Sequence, residues 1–135
     1  MDKSAKRELT FKILYSIQIN KEMNEEELET FLEENNIKDK EKESIKTDIK
    51  NIKDDLEDIS QKISENLKDN WTIDRISKID KALLILAIYE IQYKKIPFKV
   101  VINEVVELAK KYGEDTSASF INGVLANVVK ELNIE

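Results

Sequence analysis

The sequence contains neither cysteine nor histidine. Disulfide frameworks and thiolate metal sites are therefore excluded, along with any Ser-His or Cys-His nucleophile and the commonest general base. Two glycines and one proline in 135 residues are too few for the turns of a many-stranded β fold or for a glycine-rich nucleotide loop. No apolar stretch approaches a membrane span. The longest, Ala82 to Tyr89, falls far short of the roughly 20 residues a spanning helix needs. The opening Met1-Asp2-Lys3-Ser4 carries no signal-peptide core, so a soluble, cytoplasmic protein is expected.

What remains is a chain with 41% hydrophobic and 37% charged residues, too apolar for general disorder and of a length that makes one domain. The formal charge of −6 is unevenly spread. Residues 1 to 20 carry a net +2, residues 21 to 70 a net −8, and residues 71 to 135 balance. A basic amino-terminal end thus survives beside an acidic middle.

Apolar spacing predicts about seven helices. In the first, from about Ser4 to Asn20, Leu9, Ile13 and Ile17 with Leu14 form a core face, and Ser4, Arg7, Phe11, Tyr15 and Gln18 form a second face mixing a cation, aromatics and an amide. Asn24 is placed to cap a short helix that runs out at Asn35-Asn36. From Asp39 to about Lys68 the residues Ile45, Ile49, Ile52, Leu56, Ile59, Ile63 and Leu67 keep one helical stripe, read as a single long helix inside an intramolecular bundle rather than a homotypic coiled coil. Trp71 is expected to plug the gap after it. Ser77 or Lys78 opens a helix through Ala82–Tyr89, apolar nearly all round and so central. Pro97 precedes the next helix, with Gly113 as its expected cap. Asp115 or Thr116 caps the last, where Gly123 is expected to admit a close neighbour.

Three stretches carry a resemblance: Ile79-Asp80-Lys81-Ala82-Leu83-Leu84-Ile85-Leu86-Ala87-Ile88-Tyr89-Glu90, then Ile96 to Gly113 with Val100-Val101-Ile102-Asn103-Glu104, then Phe120-Ile121-Asn122-Gly123-Val124-Leu125. Together with Arg7-Glu8 and Leu14-Tyr15 they resemble the NusB family of bacterial transcription antitermination factors over essentially the whole chain. The resemblance implies an all-α, NusB-like bundle of two small subdomains, about 1–70 and 71–135. It also implies boxA single-stranded RNA of ribosomal RNA leaders as ligand, NusE (a small-subunit ribosomal protein) as partner, and membership of an RNA polymerase antitermination complex, with no cofactor, metal or catalysis.

Carried onto this sequence, the family's RNA contacts fall on Lys3, Lys6 and Arg7 and on Thr116, Ser119 and Phe120, and its NusE contacts on Tyr15, Asp80 and Lys81. Cations along phosphates and planar groups under bases are what single strands require, and the Arg7, Phe11, Tyr15 face offers both. The basic run is sparser than in many relatives, which implies weak binding alone and strong dependence on NusE. Rival readings are a NusB-like RNA-binding or interaction domain acting in ribosomal RNA processing or ribosome assembly, without antitermination, and a purely helical interaction protein. The type fused to ribosomal RNA methyltransferases is disfavoured, since no methyltransferase glycine motif is present. Asp54-Asp55 and Glu57-Asp58 could suggest a Mg²⁺-dependent nuclease or phosphatase, but on a stripe-bearing helix they read as a solvated face. Monomer and homodimer both remain open.

Overall fold

The computed structural model describes residues 1–20, 24–68 and 70–134. Among them all regular structure is helical: α1 (Lys3–Asn20), α2 (Glu25–Glu34), α3 (Asp39–Asp54), α4 (Leu56–Glu65), α5 (Lys78–Ile88), α6 (Phe98–Tyr112) and α7 (Ser117–Glu131). A 3₁₀ turn at Ile73–Arg75 leads into α5, and a π-helical turn at Tyr89–Tyr93 leaves it.

Helix α5 is central because, past its first turn, it has no polar face to give to water. Ala82 through Glu90 are all buried, and α1, α4, α6 and α7 all pack on it. The buried apolar residues form one continuous cluster from Phe11 and Ile13 of α1 through Leu83 and Leu84 to Ile121 and Val128 of α7, so α1 shares its core with the carboxy-terminal half. Several local signals act as the sequence suggests. The Asn24 side chain accepts from the Glu27 amide at 2.8 Å, and Ser77 accepts from the Asp80 amide at 3.1 Å, each satisfying an otherwise orphaned first-turn donor.

Four expectations are corrected. The stripe from Ile45 to Leu67 is not one helix: it breaks at Asp55 (φ −104°, ψ 12°) between α3 and α4. The break costs little, because Asp55 donates to the Asn51 carbonyl and accepts from the Ile59 amide, both at 3.0 Å. The buried stripe passes across it, and Leu56 is the member left 39% exposed. Trp71 plugs nothing; it is 49% exposed. Thr116 stands at the start of α7 without a side-chain cap; the Ser117 hydroxyl instead accepts from the Glu114 amide at 3.0 Å. Gly123 meets no neighbour, since a Cβ there would find nothing within 4 Å, whereas at Gly113 it would lie 2.6 Å from the Ser117 Oγ and 2.8 Å from the Ala109 carbonyl oxygen. Gly113 has an ordinary negative φ of −91°, so it is close packing against Ser117, not left-handed backbone, that calls for a small residue.

Candidate nucleic-acid interface

The amino-terminal cations part company. Lys3 is exposed. Lys6 turns inward, donating to the Ser44 hydroxyl and lying 3.3 Å from the Asp48 carboxylate. Arg7 is only 7% exposed. Its Nε donates to both oxygens of Glu90 at 3.0 and 2.8 Å and its Nη2 to Glu90 Oε1 at 2.6 Å, with Nη1 3.6 Å from Glu104. The hydrogen bonds to Glu90 raise the Arg7 pKa further, against the opposing effect of burial. The Arg7 guanidinium is thus engaged with protein carboxylates rather than presented at the surface, as its place on the mixed face of the first helix had implied.

These residues line a cleft of about 590 Å³ between the start of α1, Asp48 of α3 and the segment after α5. The π-helical turn shapes that segment. Widening the helix places Glu90 under Arg7 and leads through Lys95, in the left-handed region at φ 58°, into Pro97. Lys94 and Lys95 join Lys3 and Lys6 around the cleft. Lys94 lies 3.3 Å from Asp48, which also accepts from the Tyr89 hydroxyl at 2.8 Å. Burial, and to a smaller degree the Asp48 carboxylate, holds Tyr89 up at about 12, with the Asn51 amide opposing. Lys3 and Lys95 remain without an ion pair among the described residues. Lys94 and Lys95 do not stand out in the sequence, although two adjacent lysines before a proline in a charge-balanced half are a readable surface signal.

The second predicted cluster sits at the start of α7. Thr116 and Ser119 are exposed and Phe120 is half-buried. The Phe120 amide donates to the Thr116 carbonyl at 3.0 Å and the Ser117 amide to Glu114 at 3.0 Å; the first turn of a helix is where amides favour an anion. The Phe120 ring packs at 5.8 Å and 41° against Trp71.

The third cluster divides. Tyr15 is half-buried, its ring 6.4 Å from Phe11, which in turn lies 5.3 Å from Tyr112. The Gln18 amide ties α1 to α5 by donating to the Lys78 carbonyl at 3.0 Å. Lys81 is half-buried, but Asp80 is 8% exposed and its Oδ1 has no hydrogen-bond partner. Burial pushes the Asp80 carboxyl up and Glu114 adds to this, while the hydroxyls of Ser117 and Ser77 pull the other way. Asp80 therefore faces the start of α7 from inside the bundle.

Among the described residues no cluster of acidic side chains has the arrangement to hold a metal ion, and no helix is long and apolar enough to cross a membrane.

Known proteins share both sequence and architecture. A transcription antitermination protein NusB of Listeria monocytogenes (serotype 4a, strain HCC23) is 53% identical over 64 residues, covering 47% of this chain and 50% of the relative. One from Clostridium kluyveri is 52% identical over 67 residues, covering 49% and 43%. The chain thus spans about half the length of the curated relatives it matches. Solved structures align almost throughout. NusB of T. maritima is 35% identical with a TM-score of 0.85, covering 97% of this chain and 92% of that one. A structure described as antitermination factors NusB and NusE in complex with dsRNA contains a chain 28% identical with a TM-score of 0.83, covering 97% and 99%. With the NusB family profile matching residues 4–130, on an all-helical bundle of this topology, the chain belongs to the NusB family.

Proposed function

We propose that the chain is a transcription antitermination factor that binds the boxA element of nascent ribosomal RNA leaders as a single strand. It does so jointly with a NusE-type small-subunit ribosomal protein, within an antitermination complex on RNA polymerase, in the cytoplasm and without catalysis. One observation carries the reading of an RNA ligand and a NusE partner: the likeness in fold, over 97% of this chain, to a protein crystallised with NusE and dsRNA; the single-stranded boxA form of that ligand follows from the family resemblance.

The geometry supports a division of labour. Lys3 contacts phosphate directly, while Lys6 and Arg7 build the cleft wall behind it by holding Asp48 and Glu90. Thr116, Ser119 and Phe120 supply hydroxyls and a ring at the start of α7. Tyr15 and Lys81 form the partner surface, and Asp80 supports that surface from within. A chain with net charge −6 and one exposed cation at the start of α1 has little counterion release to offer alone. Affinity for RNA is accordingly cooperative with the partner.

Titration of labelled boxA RNA with this protein, with and without NusE at matched salt, tests the reading. Much tighter binding with NusE is expected. Equal affinity in both arms overturns the joint mechanism, and no binding in either overturns the function.

A further inference from the structure

We propose that Trp71, packed on Phe120 and followed by an Arg75 anchored on the Asn70 carbonyl, is a preformed base-stacking platform that extends the RNA site beyond the start of α7. The proposal rests on the RNA-binding function proposed above and adds to it a surface that family resemblance did not supply.

The starting point is an indole in the wrong place for a core residue. Trp71 is the only tryptophan, and a side chain that gains so much from burial is left 49% exposed. It is nevertheless held. The Trp71 amide donates to the Lys68 carbonyl at 3.0 Å, the preceding Asn70 fixes a turn in the left-handed region at φ 78°, and the ring rests against Phe120 at 5.8 Å. An aromatic held in this way has already lost most of the rotamer freedom that stacking a base would otherwise cost.

Arg75 supplies the second component. Its Nη1 donates to the Asn70 carbonyl at 3.0 Å, and its own amide donates to the Thr72 carbonyl at 2.9 Å. The guanidinium is thereby anchored one residue from Trp71. A guanidinium has five N–H donors, so this anchor leaves others available, and Arg75 is exposed. Thr116 and Ser119, which precede Phe120 in the first turn of α7, are exposed, at a helix start that favours anions. An exposed ring packed on a residue of a helix start, with a cation anchored on the carbonyl of the residue before it, matches a base attached to a phosphate chain better than an apolar protein surface. Asp74, exposed in the same turn, keeps the patch from being strongly cationic. Stacking rather than charge therefore carries its contribution, and loss of the ring lowers affinity without changing the salt slope.

The experiment uses the intact chain. Unlabelled boxA RNA is titrated in the presence of NusE while Trp71 emission is followed, with the emission of NusE alone subtracted, and labelled RNA reports total binding by anisotropy. Expected are quenching of Trp71 in step with binding, a loss of about 5- to 150-fold for Trp71→Ala, substantial rescue by Trp71→Phe, and an unchanged salt slope. Saturable RNA binding with unquenched emission, or full RNA affinity in Trp71→Ala, overturns the platform while leaving the RNA-binding function standing. Absence of RNA binding by anisotropy removes both. A response of Trp71 to NusE alone, with none to RNA, overturns the proposal in favour of a protein contact. Because quenching is read on the unmodified chain, the result holds even if a variant folds poorly.

Discussion

Arg7 of α1 grips both carboxylate oxygens of Glu90 across 83 residues of sequence, with both side chains buried. The π-helical turn after α5 carries Glu90, so this ion pair fixes the start of α1 to the segment that forms the far wall of the lysine-lined cleft. Burying two charges is costly, but removing one partner is worse, because it leaves the other uncompensated. Arg7→Ala is expected to destabilise the fold by about 3–5 kcal/mol, measured by urea denaturation. Glu90→Gln should also destabilise, since it replaces one of the two accepting oxygens with a donor and leaves the buried guanidinium only Glu104 at 3.6 Å as a carboxylate partner. A double-mutant cycle returning no coupling between the two would contradict this account.

That pair also marks where sequence reading stops. Helix α5 is legible because Ala82–Tyr89 is apolar on every side, a pattern only a central element tolerates. The caps at Asn24 and Ser77 are legible because they are local chemistry. The break at Asp55 is not, since both halves keep the same buried stripe and the backbone hydrogen bonds bridge it. Arg7 reads as a surface cation because its partner lies 83 residues away and no spacing rule connects them. Phe120 is correctly placed at a helix start, yet its contact with Trp71 depends on how the turn before α5 folds back on α7.

The two glycines make a matched pair of predictions. Gly123 lies inside α7, exposed, where a methyl group would meet nothing within 4 Å. Alanine there removes backbone freedom from the unfolded chain and should stabilise by about 0.5–1 kcal/mol. Gly113→Ala must instead displace Ser117 and the Ala109 carbonyl, an overpacking cost of about 1–3 kcal/mol. Thermal melts of the two variants should move in opposite directions; a stabilised Gly113→Ala would show that α6 and α7 separate there freely.

Asp80 gives a prediction in pH. Its carboxyl titrates above the ordinary range near 3.9 because burial disfavours the charge. The folded state therefore binds the proton more tightly than the unfolded one, and stability falls as pH rises from the unfolded value through the raised folded one. Asp80→Asn cannot ionise and escapes this loss. Its melting temperature relative to the parent protein should climb between pH 3 and pH 7, whatever constant offset the amide introduces. A flat difference across that range would mean that the carboxylate is well solvated.

The last prediction separates the cations that face RNA from those that build the cleft. Lys6 and Lys94 each lie 3.3 Å from Asp48, so their charge is largely offset by that carboxylate, as that of the buried Arg7 is by Glu90. Lys3 and Lys95 line the same cleft, exposed and without an ion pair among the described residues. Each phosphate contact on a single strand contributes about 0.7 to the slope of log affinity against log salt. Removing Lys3 and Lys95 together should therefore reduce that slope by up to about 1.4 while leaving the melting temperature within a degree or two, since neither side chain is packed. Lys6→Ala should do the reverse, leaving Asp48 to Lys94 and the Tyr89 hydroxyl alone and lowering stability with little change in slope. Anisotropy titrations of boxA RNA at several salt concentrations, beside circular dichroism melts, read both quantities. If the Lys3 and Lys95 double variant keeps the parent slope while Lys6→Ala flattens it, phosphates enter the cleft and compete with Asp48, and the strand runs deeper than the exposed lysines indicate.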